Sequence, residues 1–77
     1  MAIAYDIELD VRHEESPIPT IRTKETLDTL TTGGILKVLT SKESTVQNIR
    51  TLVKNQAFEL LLHVKVEDSY VFFIKKL

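Results

Sequence analysis

The feature that most constrains this chain is a change of hydrophobic period across Ser16-Pro17-Ile18-Pro19. Before it, Ile3, Tyr5, Ile7, Leu9 and Val11 alternate with Ala4, Asp6, Glu8 and Asp10, the pattern of a strand with one dry side and one wet side. After it, Thr20, Thr23, Leu27 and Leu30 recur at helical spacing with Ile21 at the border, while Arg22, Lys24, Glu25 and Asp28 take the watery side. A period that switches within one loop places a helix directly after a strand. Serine is a good N-cap and proline suits the first helical position, so Ser16 is predicted to cap the helix, Pro17 to open it and Pro19 to remove one more unpartnered amide. The amides of Ile18 and Thr20 are then left facing position 16, at the dipole end where a thiolate or an anion is stabilised.

Gly33-Gly34 is predicted to end this helix in a left-handed turn. A short strand over 35–40 follows, and the helix between it and the first strand makes the two parallel neighbours. A second helix is expected from about Ser41 to Gln56, with Val46, Ile49, Leu52 and Val53 as its apolar stripe, Thr40 or Ser41 as cap and Glu43 in its first turn. Strands over 58–66 and 70–76, joined by a turn at Asp68-Ser69, complete the chain as an antiparallel hairpin. The expected order is βαβαββ, an α+β two-layer sandwich with both helices on one face of a four-stranded mixed sheet, forming a single domain over 1–77. In the hairpin, Leu61, Val71 and Phe73 fall opposite Leu60, Leu62, Phe72 and Ile74, so apolar residues point both ways. The open face or an edge strand is therefore a candidate surface for a partner or a homodimer. His63, between Leu62 and Val64, is placed on that open face.

The chain contains no cysteine, which excludes disulfides, thiolate metal sites and any thiol nucleophile. Net charge is -1, which gives no general attraction to nucleic acid or to an anionic membrane. A basic face remains conceivable if Arg12, Arg22, Lys24, Arg50, Lys54, Lys75 and Lys76 gather, although solvated charges are the simpler reading. No apolar run reaches membrane-spanning length and none follows a basic start, so a cytoplasmic protein is expected. Asp10, His13 and Ser16 allow a hydroxyl nucleophile with a histidine base to be drawn, but loop proximity supplies neither an oxyanion hole nor a pocket, and no enzyme is expected. His13, Glu14 and Glu15, with Asp10, lack the spacing of a common metal site, so neither metal nor cofactor is expected.

These residues together resemble the TusA/SirA sulfur-carrier family, whose leading strand ends in Asp-x-Arg-Gly and whose first helix opens, two residues on, with Cys-Pro-x-Pro. Here the matching positions are Asp10, Arg12, Ser16, Pro17 and Pro19. Leu27, Leu30 and Gly33-Gly34 match the end of the family's first helix, and Phe73 to Lys76 its last strand. The resemblance implies the βαβαββ fold and a surface that docks on sulfurtransferases or other sulfur-metabolism proteins. It also implies a degenerate member, because Ser16 stands where the family's cysteine accepts sulfur, and a hydroxyl oxygen cannot become a persulfide. His13 replaces the family's glycine, Glu14 an apolar residue, Lys42-Glu43 an Asp-Pro turn and Asn48 an aspartate. A non-catalytic protein-binding or regulatory module is the implied function, with His13, Glu14, Glu15 and Arg22 as candidate partner contacts. The alternative, a small RNA-binding or regulatory α/β domain, is weakened by neutral charge and the lack of a stacking motif.

Overall fold

The computed structural model describes residues 3–55 and 57–77, the side chain of Asn55 excepted. Its elements are β1 (Ile7–Asp10), α1 (Ile18–Thr29), β2 (Ile35–Thr40), α2 (Glu43–Asn55), β3 (Phe58–Val66) and β4 (Ser69–Lys76). The sheet order is β1-β2-β4-β3, with β1 parallel to β2 and β4 antiparallel to both its neighbours. Both helices pack on one face, and their buried side chains join Leu9, Val11, Leu36, Val38, Phe58, Phe72 and Ile74 in one core. The expected α+β architecture is therefore the one observed.

β1 is shorter than the alternation suggests. Leu9 and Val11 are buried, but Tyr5 and Ile7 are exposed and Ile3 is only half-buried; the Tyr5 ring lies 6.1 Å from Phe73, which faces the open side of the sheet. α1 turns an unusual face inward: Pro19, Thr23 and Leu27 are buried, while Thr20 and Leu30 are half-buried and Ile21 is exposed. A threonine is tolerated there because its hydroxyl donates to the Pro19 carbonyl at 2.7 Å, one helical turn back. The helix stops at Thr29, before the glycines, with Leu30 extended. The Lys76 ammonium replaces a glycine cap, donating to the carbonyls of Asp28 at 3.2 Å and Leu30 at 2.8 Å. Gly33 (φ 89°) instead forms the turn after the helix and donates its amide to the Lys76 carbonyl at 2.7 Å.

α2 buries Val46, Ile49 and Val53 and half-buries Leu52, as the spacing predicts. Gln56, where the sequence ends this helix, lies outside the described residues. At its start the Thr40 hydroxyl accepts the Lys42 amide at 3.4 Å, whereas Ser41 does not cap and donates instead to the Arg12 carbonyl at 2.7 Å. The hairpin turn is Glu67-Asp68, with Glu67 left-handed (φ 55°) and Val66 facing Ser69, one residue earlier than the sequence suggests.

The main departure is in β3. Leu60 pairs with Ile74 but Leu62 pairs with Phe73, so Leu61 is an extra residue, a β-bulge. One extra residue exchanges the two faces of everything after it. Leu62 and Val64 consequently face the open side with Phe73 and Val71, and His63 and Lys65 face the helix side with Phe72 and Tyr70. The placement of His63 on the open face is thus overturned: its ring stacks on core Phe72 at 4.4 Å between centroids, with planes 11° apart.

Candidate functional site

β2 and β3 each run antiparallel to β4, and β1 runs with β2, so α1 and α2 both return in the opposite sense and start at the same end of the sheet. The loop from Val11 to Pro17 crosses that end and is held by both helices. Asp10 anchors its base: its carboxylate accepts the Arg12 amide at 3.1 Å, Arg12 Nε at 2.9 Å and a terminal guanidinium nitrogen at 2.7 Å. The Arg12 side-chain and amide hydrogen bonds hold the Asp10 carboxyl well below its usual range, at about 2. Further along, Glu14 Oε2 meets Arg22 of α1 at 2.7 Å, and Glu15 meets Lys42 before α2 at 3.3 Å. With the Ser41 hydroxyl on the Arg12 carbonyl, these contacts brace the loop from two sides.

Ser16 is exposed at the centre of this arrangement, but it is not a cap. The N-cap position belongs to Pro17, and no side-chain cap hydrogen bond is made. The physical reason lies in the backbone: the Ile18 amide donates to the Glu15 carbonyl at 2.9 Å, closing a turn before the helix, so the donor expected to face position 16 is already used. The Ser16 hydroxyl is instead reached by Asn48 Nδ2 of α2 at 3.4 Å, a long contact. Asn48, which the sequence offers only as a departure from a family pattern, is therefore part of the site. A contact across 32 positions of chain has no local signal that could have disclosed it.

The loop's charges are also arranged differently from expectation. Glu14 and Glu15 precede the helix start, where unpaired carboxylates would repel an incoming anion, but each is matched by a cation that offsets much of that repulsion. Arg12, Arg22 and Lys24 are paired with Asp10, Glu14 and Asp28, and Lys76 holds carbonyls, so the charges of these four candidates are engaged locally. No catalytic triad assembles: Asp10 is committed to Arg12, Ser16 to Asn48, and His13 is exposed with no hydrogen bond to either among the described residues. Nor do three His, Asp or Glu side chains converge to hold a metal ion among the described residues. Pro19 is buried and shapes the helix start from within rather than contacting a partner. Beneath the surface, the hydroxyls of Thr20 and Thr45, each the third residue of its helix, are buried without a hydrogen-bond partner among the described residues.

The geometry defines a class of protein: a small βαβαββ domain that displays one side chain in front of a proline-opened first helix, braced by an Asp-x-Arg clamp. The profile of the family described as Sulfurtransferase TusA matches residues 7–76, and the chain belongs to that family. It is similar to the sulfur carrier protein TusA of Allochromatium vinosum, with 29% identity covering 94% of this chain and 95% of the relative. It is similar also to a sulfur-carrier-like protein of Halobacterium salinarum, at 32% identity over 99% of this chain and 98% of that one. Among solved structures, the crystal structure of the SirA-like protein from Desulfitobacterium hafniense superposes with a TM-score of 0.80, covering 91% of this chain and 96% of that chain at 24% identity, which supports the fold.

Proposed function

We propose that this chain is a non-catalytic member of the sulfur-carrier family, a cytoplasmic module that binds a sulfurtransferase or another sulfur-metabolism protein and does not itself carry sulfur. One observation carries the reading: the family's scaffold is kept, with Asp10, Arg12, Pro17 and Pro19 in place, while position 16 holds a hydroxyl and the chain has no cysteine to substitute for it. Without a thiol there is no sulfur nucleophile and no persulfide. What remains is a loop surface of His13, Glu14, Glu15, Ser16 and Pro17 with Arg22 beside it, held in shape by contacts to both helices. Such a surface competes with a true carrier for the same partner, or holds that partner in an assembly.

The test has two parts. Tagged protein should capture a desulfurase or sulfurtransferase from native extract, and a His13→Ala/Glu14→Lys variant that keeps its fold should release it. Incubation with a sulfur-loaded desulfurase should leave no label on the protein. Capture that never includes a sulfur-metabolism protein, or that is indifferent to the loop variant, refutes the docking role; covalent label on the chain refutes the non-carrier role.

A further inference from the structure

β3 ends the sheet, so the outer side of its nine-residue backbone is a ladder edge without a neighbouring strand among the described residues. An edge of this kind accepts an added strand along its regular stretches, which here lie beyond the Leu61 bulge, over residues 62–66. Here the edge adjoins a groove of about 380 Å³ whose wall is α2 and whose floor is Val53 and Leu60, with Gln47, Arg50, Thr51 and Lys54 along the wall. Arg50 and Lys54 are exposed and meet no carboxylate within ion-pair distance among the described residues, unlike Arg12, Arg22, Lys24, Lys37 and Lys42. Lys65, brought to the helix side by the bulge, is likewise unpaired and lies with Nζ 5.6 Å from the Tyr70 ring centroid. Of the nearby acids, Glu59 sits opposite Lys75 on the other face of the sheet, and Glu67 and Asp68 form the hairpin turn beyond the end of β3, away from Arg50 and Lys54.

Charge is divided along the chain in the same sense. Residues 1–34 carry seven acids against three bases, net -4, and residues 35–77 carry four acids against seven bases, net +3. The first set builds β1 and α1; of the seven bases in the second, Arg50, Lys54 and Lys65 lie on α2 and β3 across the sheet from it, while Lys37, Lys42, Lys75 and Lys76 lie on β2, before α2 and on β4. On the open side, the same edge presents Leu62, Val64 and Val66, of which Leu62 and Val66 are 36% and 51% exposed.

We propose that the β3 edge and the α2 wall dock an extended acidic segment of a partner protein, added as a fifth strand. Its side chains alternate, with carboxylates facing Arg50, Lys54 and the Lys65 side, and apolar residues extending the open face beside Leu62, Val64 and Val66. The spacing fits. Arg50 and Lys54 are four residues apart on a helix, about 6 Å along its axis, and two same-face residues of a strand are about 6.6 Å apart. Successive carboxylates of an added strand thus match successive cations. The surface lies on the opposite sheet edge from β1 and involves none of the loop residues, so the proposal stands whether or not the loop binds a sulfur-metabolism protein.

The probe is a fluorescein-labelled ten-residue peptide of alternating Glu and Val, followed by anisotropy at low and moderate salt. Wild-type protein should bind it, with affinity falling as salt rises. Arg50→Glu/Lys54→Glu should weaken binding at least ~10-fold, whereas Lys24→Glu on α1 should change it less than about twofold. Thermal melts check that each variant is folded. Of two peptides N-methylated on one or the other set of alternate amides, one should lose binding, because it cannot complete the ladder. The proposal is overturned if the wild type does not bind the peptide, if a Lys-Val peptide binds equally, or if neither methylated peptide is weakened. It is equally overturned if an oligouridylate binds more tightly and loses affinity in the same variants, or if those variants abolish self-association, which assigns the edge to nucleic acid or to a second copy.

Discussion

Replacing Ser16 by cysteine separates the scaffold from its chemistry. In a carrier, the helix start is expected to lower the thiol pKa; the structure argues that here it does so very little. An unperturbed thiol titrates near ~8.5. The dipole of α1 favours the thiolate by about 0.3–1 kcal/mol at an exposed site, or roughly 0.2–0.7 pK unit. Against this, Pro17 and Pro19 offer no amide, the Ile18 amide is donated to the Glu15 carbonyl, and the Glu15 side chain next to the site is 80% exposed. A carboxylate about 6 Å away in water opposes a thiolate by about 0.7 kcal/mol, roughly half a unit, and Lys42 cancels part of that. The two effects nearly balance, so Ser16→Cys should titrate within about half a unit of 8.5 and be only about 1–10% thiolate at pH 7. Alkylation by iodoacetamide, with rate followed from pH 5 to 10, measures this midpoint. A midpoint below about 7 would show that the helix start activates a nucleophile at position 16, and the claim that the loop has lost its electrostatic poise would be wrong.

The Asp10 clamp predicts an acid-limb effect. The carboxyl is held at about 2 instead of its usual 3.8, so its contribution to stability is complete above about pH 4 and is lost as pH falls through 2. Because both partners are largely exposed, Arg12→Gln should lower stability in urea melts only slightly at pH 7, and the difference should vanish towards pH 2; a difference that persists or grows in acid contradicts the assignment. Thr45 predicts the opposite sign from most core changes: Thr45→Val removes a fully buried hydroxyl without a partner at similar shape, and should stabilise by about 1 kcal/mol in the same assay, whereas destabilisation would mean that the hydroxyl is satisfied.

Much of the fold was legible because it rests on repeating patterns. The pair Leu9 and Val11 at the end of the period-2 run, the stripe Val46, Ile49, Val53 and the span of β2 survive in the structure, since each is set by which residues must leave water. Features set by single contacts were not legible. Leu61 has no sequence mark that distinguishes a bulge from regular strand, yet it moves His63, Leu62 and Lys65 to faces opposite those the alternation indicates. Likewise Ser16 has every local qualification of an N-cap, and loses the position because the chain turns one residue earlier at Glu15 and Ile18.

The same division holds for the site. The amino-acid sequence alone determined the absence of any thiol, the Asp-x-Arg and Pro-x-Pro pair that frames position 16, and the family to which both belong. Those are matters of which atoms are present and at what spacing, and no folding can alter them. Only the tertiary structure decided that Glu14 and Glu15 are matched by Arg22 and Lys42, that Asn48 rather than the helix amides meets Ser16, and that Arg50 and Lys54 line a groove beside β3 with no carboxylate at ion-pair distance among the described residues. Each of these depends on residues far apart in the chain meeting at a few ångströms, where electrostatic and hydrogen-bonding energies fall off within the width of one side chain.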